Sequence, residues 1–293
     1  MSISQLMAFS PPDSGFFSYA AARENDSRGP AFTWWDTRHR RERGSMRAKP
    51  VPTSRTPEVS AIALGPQART LWVSRSNGQR IEAWDLRRRR LAGSMPGQLP
   101  VLVADGGGMA LRPDGRVLVT AHDPLFHTGT GKVTQRGLGQ NLTTTVAFSP
   151  RGRFLAAADT STAVTLWDGH ARRRLGVLTS ALPLKGIYIE ALAFSPDERL
   201  LATADTTGAV QVWDLPSHRQ LGSRIPTAGG KVRALSFSPD NSTLRVSSAH
   251  VRLHAYTIAP KKAATGVCRH IGGSMSRRDW ATHTPEVAYR KIC

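Results

Sequence analysis

Residues Ala191 to Leu215 read ALAFSPDERLLATADTTGAVQVWDL, and the same phrase stands upstream at Thr145 to Gly169 as TVAFSPRGRFLAAADTSTAVTLWDG. Phe148 and Phe194 are 46 residues apart, and so are Trp167 and Trp213. A third copy, ALSFSPDNSTLRVSSAHVRLHAYTI, starts at Ala234. In all three the step from Phe to the closing aromatic is 19 residues: Phe148 to Trp167, Phe194 to Trp213, Phe237 to Tyr256. Equal steps at one period mark a repeat architecture, in which each unit is one small supersecondary element.

The pattern inside a copy says what that element is. Leu192 and Phe194, then Leu200 to Ala202, then Val210 and Val212 put apolar residues at period two on three short strands. Ser195-Pro196-Asp197 is a turn, with proline setting φ and aspartate bonding its own backbone. Asp205 to Gly208 is a second turn, and Arg219 to Leu221 a short fourth strand after Trp213-Asp214-Leu215. Four antiparallel strands cannot bury both faces alone, so copies must stack, and radial closure is the stable solution.

Three weaker copies extend the array. Ala61 to Leu86 has Leu64 in place of Phe and ends on Trp84-Asp85. Met109 to Thr120 is followed by an insertion, with Arg136-Gly137 where Trp-Asp is expected. Near the start, LMAFSPPDSGFF leads to Trp35-Asp36. The turn proline recurs at Pro11, Pro66, Pro113, Pro150, Pro196 and Pro239. The expected fold is all-β: a β-propeller of four-stranded antiparallel blades over residues 1–258, with six visible repeats and six or seven blades. A short helical C-terminal tail spans 259–293, with a helix from Lys261 to His270 ended by Gly272-Gly273 and a capping box at Ser276 and Asp279.

The units resemble WD repeats in period, in the Trp-Asp ending and in the four-stranded plan, over about residues 5–258, and their phrasing is most similar to bacterial members. The resemblance implies a binding platform. The Gly-His pair that the family carries before each first strand is missing, so the buried His-Asp-Ser-Trp network the resemblance implies is incomplete, and Asp159 and Asp205 read as local turn-formers. Cys268, Ser276-x-x-Asp279-Trp280 and Pro285 to Tyr289 resemble the C-terminal ends of actinobacterial WD-repeat signalling proteins. In that group the propeller trails a helix-turn-helix or nucleotide-hydrolysing module, which implies the sensor or remnant part of a larger signalling NTPase.

Composition bounds the function. The 293 residues are 40% hydrophobic, and the longest apolar runs fall far short of the roughly 20 residues that span a bilayer. Residues 1–13 lack a basic n-region and a continuous apolar h-region, so no export is expected and a cytoplasmic location follows. The two cysteines, Cys268 and Cys293, both fall in the tail and read as free thiols. The formal net charge of +19 rests on 33 Arg against 7 Lys. A GC-rich genome and a footprint for an acidic partner or nucleic acid both explain that bias.

No constellation for catalysis stands out. Gly129-Thr130-Gly131-Lys132 lacks the flanking residues of a phosphate loop, since position 126 is Phe and position 133 is Val, so it reads as a loop between strands. His250 and His254 on one strand would stand about 13 Å apart, too far to share a metal. The alternative of a hydrolase or oxidoreductase site in the central channel needs titratable groups on the first strands. Those strands read Thr-Val-Ala-Phe, Ala-Leu-Ala-Phe and Ala-Leu-Ser-Phe. No catalytic residue, metal or cofactor is expected, and the reading is a monomeric, membrane-free scaffold for protein partners.

Two surfaces are candidates. The turns before the first strands and those between the second and third share one face, which is expected to carry Tyr188, Glu190, Lys231, Arg233 and an inserted loop, Pro124 to His127, with Phe126 and His127 as partner contacts. The opposite face carries the turns after each Trp-Asp. There the runs Arg38 to Arg43, Arg87, Arg88, Arg89 and Arg90, and Arg172, Arg173 and Arg174 align, which predicts non-specific polyanion binding.

Overall fold

Six antiparallel sheets follow one another along the chain. The computed structural model describes residues 6–10, 15–20, 31–36, 41–47, 59–75, 80–96, 108–121, 124–135, 138, 142–179, 186–227, 230–248, 250, 253–259, 262, 265, 268–269, 276–283, 286 and 288–289. The first sheet is β1 (Leu6–Ser10), β2 (Gly15–Ala20), β3 (Ala31–Asp36) and β4 (Arg41–Arg47). The second is β5 (Val59–Leu64), β6 (Thr70–Arg75), β7 (Arg80–Asp85) and β8 (Arg90–Pro96). The third is β9 (Met109–Leu111), β10 (Val117–Thr120), β11 (Pro124–His127) and β12 (Val133–Gln135). The fourth is β13 (Thr143–Phe148), β14 (Phe154–Asp159), β15 (Val164–Asp168) and β16 (Arg174–Leu178). The fifth is β17 (Ile189–Phe194), β18 (Leu200–Asp205), β19 (Ala209–Asp214) and β20 (Arg219–Gln220), with β21 (Ile225–Pro226) also paired to β19. The sixth has three described strands, β22 (Val232–Phe237), β23 (Thr243–Ser248) and β24 (His254–Thr257).

Within each sheet the strands pair in chain order, and the first strands β1, β5, β9, β13, β17 and β22 each lie beside the next. The sheets therefore stack face to face, which is why the second strands carry near-continuous small apolar runs. In β14, Leu155, Ala156, Ala157 and Ala158 are all buried because neighbours cover both faces. One core cluster joins Ala156, Leu166 and Leu178 of the fourth sheet to Phe194, Leu201 and Trp213 of the fifth. A second joins Ala202 and Val212 of the fifth to Phe237 and Leu244 of the sixth.

A cross-strand triad recurs in every sheet. Leu155 stands opposite Phe148 and Trp167, Leu201 opposite Phe194 and Trp213, and Leu71 opposite Leu64 and Trp84. In the third sheet Leu118 stands opposite Leu111 and Phe126. Phe126 thus fills the tryptophan position, and His127, opposite Val117, fills the aspartate position that Asp168 occupies opposite Phe154. This corrects two expectations: Pro124 to His127 is the third strand and not an inserted loop, and Arg136-Gly137, outside the described residues, is not the Trp-Asp counterpart. The cause is a shorter hairpin, since Leu118 to Phe126 is eight residues where Leu155 to Trp167 is twelve. Gly129 to Lys132 falls in the turn joining β11 to β12, as expected.

The tryptophans lack a common acceptor. Trp84 donates to Glu82 at 3.0 Å, Trp167 to the Leu138 carbonyl at 2.8 Å and Trp213 to the Thr203 hydroxyl at 3.3 Å. Trp213 is buried and Trp167 half-buried. Asp159 and Asp205 organise their own turns: Asp159 accepts from the Ser161 amide and hydroxyl at 2.8 and 2.6 Å, and Asp205 from those of Thr207 at 2.9 and 2.6 Å.

In the tail, Lys262, Thr265, Cys268 and Arg269 are helical, and α1 (Arg277–His283) opens on the expected capping box, the Asp279 amide donating to Ser276 Oγ at 3.1 Å. Trp280 packs edge-on against Tyr289, 5.8 Å between centroids. Cys268 is disulfide-bonded, which corrects its reading as a free thiol. Lys262 docks the tail on the sixth sheet through Asp240 and Ser242, both at 2.9 Å. No described helix is long and apolar enough to cross a membrane.

Candidate interaction surfaces

At one end of the stack the turn between second and third strands is pinned, in the fourth and fifth sheets, to the segment entering the first strand. The Thr160 amide donates to the Leu142 carbonyl at 3.1 Å and the Thr206 amide to the Tyr188 carbonyl at 3.0 Å. Leu142 and Tyr188 therefore occupy equivalent positions in adjacent sheets. Thr144 Oγ1 donates to the Ile189 carbonyl at 3.2 Å, which holds the two entrances side by side. Leu142 is 52% exposed and Tyr188 39% exposed. Tyrosine is enriched at protein interfaces and their energetic centres, and Leu142 extends the apolar surface beside it.

Beside them, Glu190 Oε1 pairs with Lys231 Nζ at 2.8 Å, across the fifth and sixth sheets. The Glu190 side chain is only 11% exposed, and its Oε2 has no hydrogen-bond partner among the described residues. Tyr188, Glu190 and Lys231 are thus brought together as the repeats suggest, while Arg233 lies on β22 with its side chain outside the described residues. Phe126 does not join them. It is 1% exposed in the core between the second and third sheets, and His127 sits at the opposite end. Leu142 was missed by sequence reasoning; the signal was its place just ahead of β13, matching that of Tyr188 ahead of β17.

The opposite end gathers the turns after the first strands and after the third. They are bonded together: the Leu86 amide donates to the Arg69 carbonyl at 3.0 Å, Gly169 to Arg153 at 2.7 Å and Leu215 to Arg199 at 2.9 Å. Exposed here are Arg69 and Arg87 to Arg90 in the second sheet, Arg116 and Lys132 in the third, Arg151, Arg153 and Arg172 to Arg174 in the fourth, and Arg199 and Arg219 in the fifth. Of the run Arg38 to Arg43 only 41–43 are described, and Arg41 is exposed.

The aspartates at this end bond within their own turns, and Asp85 also pairs with the Arg88 guanidinium at 3.5 Å. Asp85 accepts from the Arg88 amide at 2.9 Å, and that bond holds its carboxyl below the usual range. Burial opposes ionisation of Asp168, but the amides of Arg172, His170 and Arg173, at 2.9 to 3.0 Å, outweigh it and its pKa is lowered. The Ser217 hydroxyl, 2.5 Å away, lowers that of Asp214. Each carboxylate organises the turn that displays the arginines.

Neighbouring first turns also interlock. A Cβ on Gly115 would touch Pro66 Cδ at 3.2 Å, and one on Gly152 would meet Arg112 Nε at 3.2 Å. At the same place in the fifth sheet Glu198 accepts from Ser149 Oγ at 2.6 Å and the Arg151 amide at 2.7 Å, and pairs with Arg153 at 3.1 Å. In the sixth, Asn241 accepts from the Asp197 amide at 3.4 Å. The turns of this end are thus linked from the second sheet to the sixth.

The model of the WD domain, G-beta repeat family matches residues 136–168 and 181–214. The matches end on Asp168 and Asp214, at the close of β15 and β19. They support a WD-repeat family. The antiparallel, mostly four-stranded sheets and the one short described helix are consistent with a WD-repeat propeller. WD-repeat domains generally serve as non-catalytic scaffolds for protein–protein interaction. No curated protein shows a significant match.

Proposed function

We propose that this WD-repeat chain is a non-catalytic scaffold that docks a protein partner on the end carrying Leu142, Tyr188, Glu190 and Lys231. The observation that carries the reading is the pair of exposed apolar groups in equivalent positions of adjacent sheets, flanked by the 2.8 Å Glu190–Lys231 ion pair. An aromatic and an aliphatic anchor beside a charged rim is the composition of a protein interface. Among the described residues near this end, Asp159 and Asp205 are bonded within their own turns, and Asp205 also pairs with Arg224. The Ser-x-x-Asp-Trp step of the tail supports placing the chain in a cytoplasmic bacterial signalling assembly of the actinobacterial kind, as its sensor part. Affinity capture compared between the wild type and Leu142→Ser/Tyr188→Ala tests the docking end: a protein retained by the first and lost by the second is expected, and identical captures would overturn it.

A further inference from the structure

We infer that the basic end is a second, separate binding surface, one that takes the phosphate backbone of duplex nucleic acid. Total charge is not the ground for this. The ground is where the arginines stand: the exposed runs Arg87 to Arg90 and Arg172 to Arg174 occupy the same turn of the second and fourth sheets, and Arg116 and Lys132 of the third sheet fill the interval. The interlocked first turns make these one surface. Asp85 and Asp168 accept amides of the arginines in their own turns, which holds the backbone, and Arg88 also pairs with Asp85 at 3.5 Å while its side chain stays mostly exposed. Guanidinium forks match phosphate bidentately, and turns already held by their aspartates need little backbone ordering on binding.

The class of partner follows from what this end lacks among the described residues. Three exposed aliphatic side chains adjoin this end, Leu91 beside Arg90, Val133 beside Lys132 and Leu221 close to Arg219, but they stand singly, one in each of the second, third and fifth sheets. Single Leu and Val side chains rarely carry a protein interface, whose energy concentrates in buried aromatic anchors. No exposed aromatic stands in these turns, which removes the stacking platform that single strands use. A stiff, densely charged duplex backbone needs neither, since neutralising phosphates releases counterions and gives sequence-independent affinity.

The test is fluorescence anisotropy of a labelled random-sequence duplex DNA of about 20 base pairs across a salt series, with the full chain. Arg87→Ser/Arg88→Ser/Arg90→Ser and Arg172→Ser/Arg173→Ser/Arg174→Ser remove charge at two separate sheets, each checked for unchanged melting. Arg47→Ser/Arg80→Ser/Arg245→Ser removes the same charge at exposed positions outside these turns. Each rim triple is expected to weaken binding about tenfold or more at low salt and to flatten the salt slope, and the control triple to change it about twofold or less. Equal losses in all three variants, or binding insensitive to salt, would overturn the inference. So would polyglutamate or single-stranded DNA competing as well as duplex at matched charge.

Discussion

Ser149 of the fourth sheet donates its hydroxyl, at 2.6 Å, to Glu198 of the fifth. In the fifth and sixth sheets the corresponding serines find the carboxylate within their own turn, Ser195 at Asp197 and Ser238 at Asp240, 2.6 and 2.5 Å away. The fourth sheet has Arg151 there and borrows its carboxylate from the neighbour. A local turn bond has become a tie between sheets.

Glu198→Ala should cost about 1–3 kcal/mol in denaturant titration, because it leaves the buried Ser149 hydroxyl without its acceptor. Glu198 has φ +61°, where Gly115 and Gly152 stand in the third and fourth sheets, so Glu198→Gly should cost less than Glu198→Ala. Arg151→Asp should recover part of the Glu198→Ala loss by restoring a carboxylate within the turn. Additive effects of the two substitutions would refute the exchange of acceptors.

Phe126→Ala should destabilise by about 3–5 kcal/mol, the range for a large aromatic removed from a core, and Trp213→Ala by a similar amount. A loop phenylalanine would cost little. Denaturant midpoints separate the two, and a change at Phe126 of under about 0.5 kcal/mol would return Pro124–His127 to the surface.

Gly169→Ala should be far more damaging than Gly129→Ala. A Cβ at Gly169 would lie 1.7 Å from the Gly152 carbonyl oxygen, whereas at Gly129 it meets nothing within 4 Å. The first should lower stability by about 1–3 kcal/mol, as overpacking does, and the second should be near neutral. Equal melting temperatures would contradict the close packing of the two turns.

Stability should fall on acidification. The carboxyls of Asp85, Asp168 and Asp214 titrate lower in the folded chain than in the unfolded one. The unfolded chain therefore binds their protons first, and stability rises with pH across that window. The contribution is fully present above the unfolded value of about 3.9 and is lost as pH drops through the folded values. Denaturant midpoints between about pH 6 and pH 3 should decline, less steeply in Asp168→Asn. A flat profile would show that the turn aspartates do not carry this linkage.

The repeats were legible wherever the 19-residue step held, because period-two burial and a fixed turn specify register together. The third repeat broke that step. Its shorter second hairpin moved the closing aromatic to Phe126, and counting forward from Leu111 passes over it. The apolar Leu125-Phe126 pair directly ahead of Gly129 and Gly131 was the signal that remained. The basic end was half legible: the runs were visible, but Arg116, Arg153 and Arg199 join them only through turn-to-turn bonds that sequence does not display. Leu142 was invisible for a related reason, since its exposure depends on how adjacent sheets meet at Thr144 and Ile189.

The most direct test of the scaffold assignment is photo-crosslinking in cells from a side chain placed at Leu142, compared with one placed at Gly129 on the opposite end. Leu142 is 52% exposed and Gly129 open, so both sites accept the probe without disturbing the core. The docking account predicts a discrete protein adduct from position 142 that disappears with Tyr188→Ala, and none of that size from position 129. An adduct common to both positions, or none at 142 under conditions where the chain is fully folded, would contradict it.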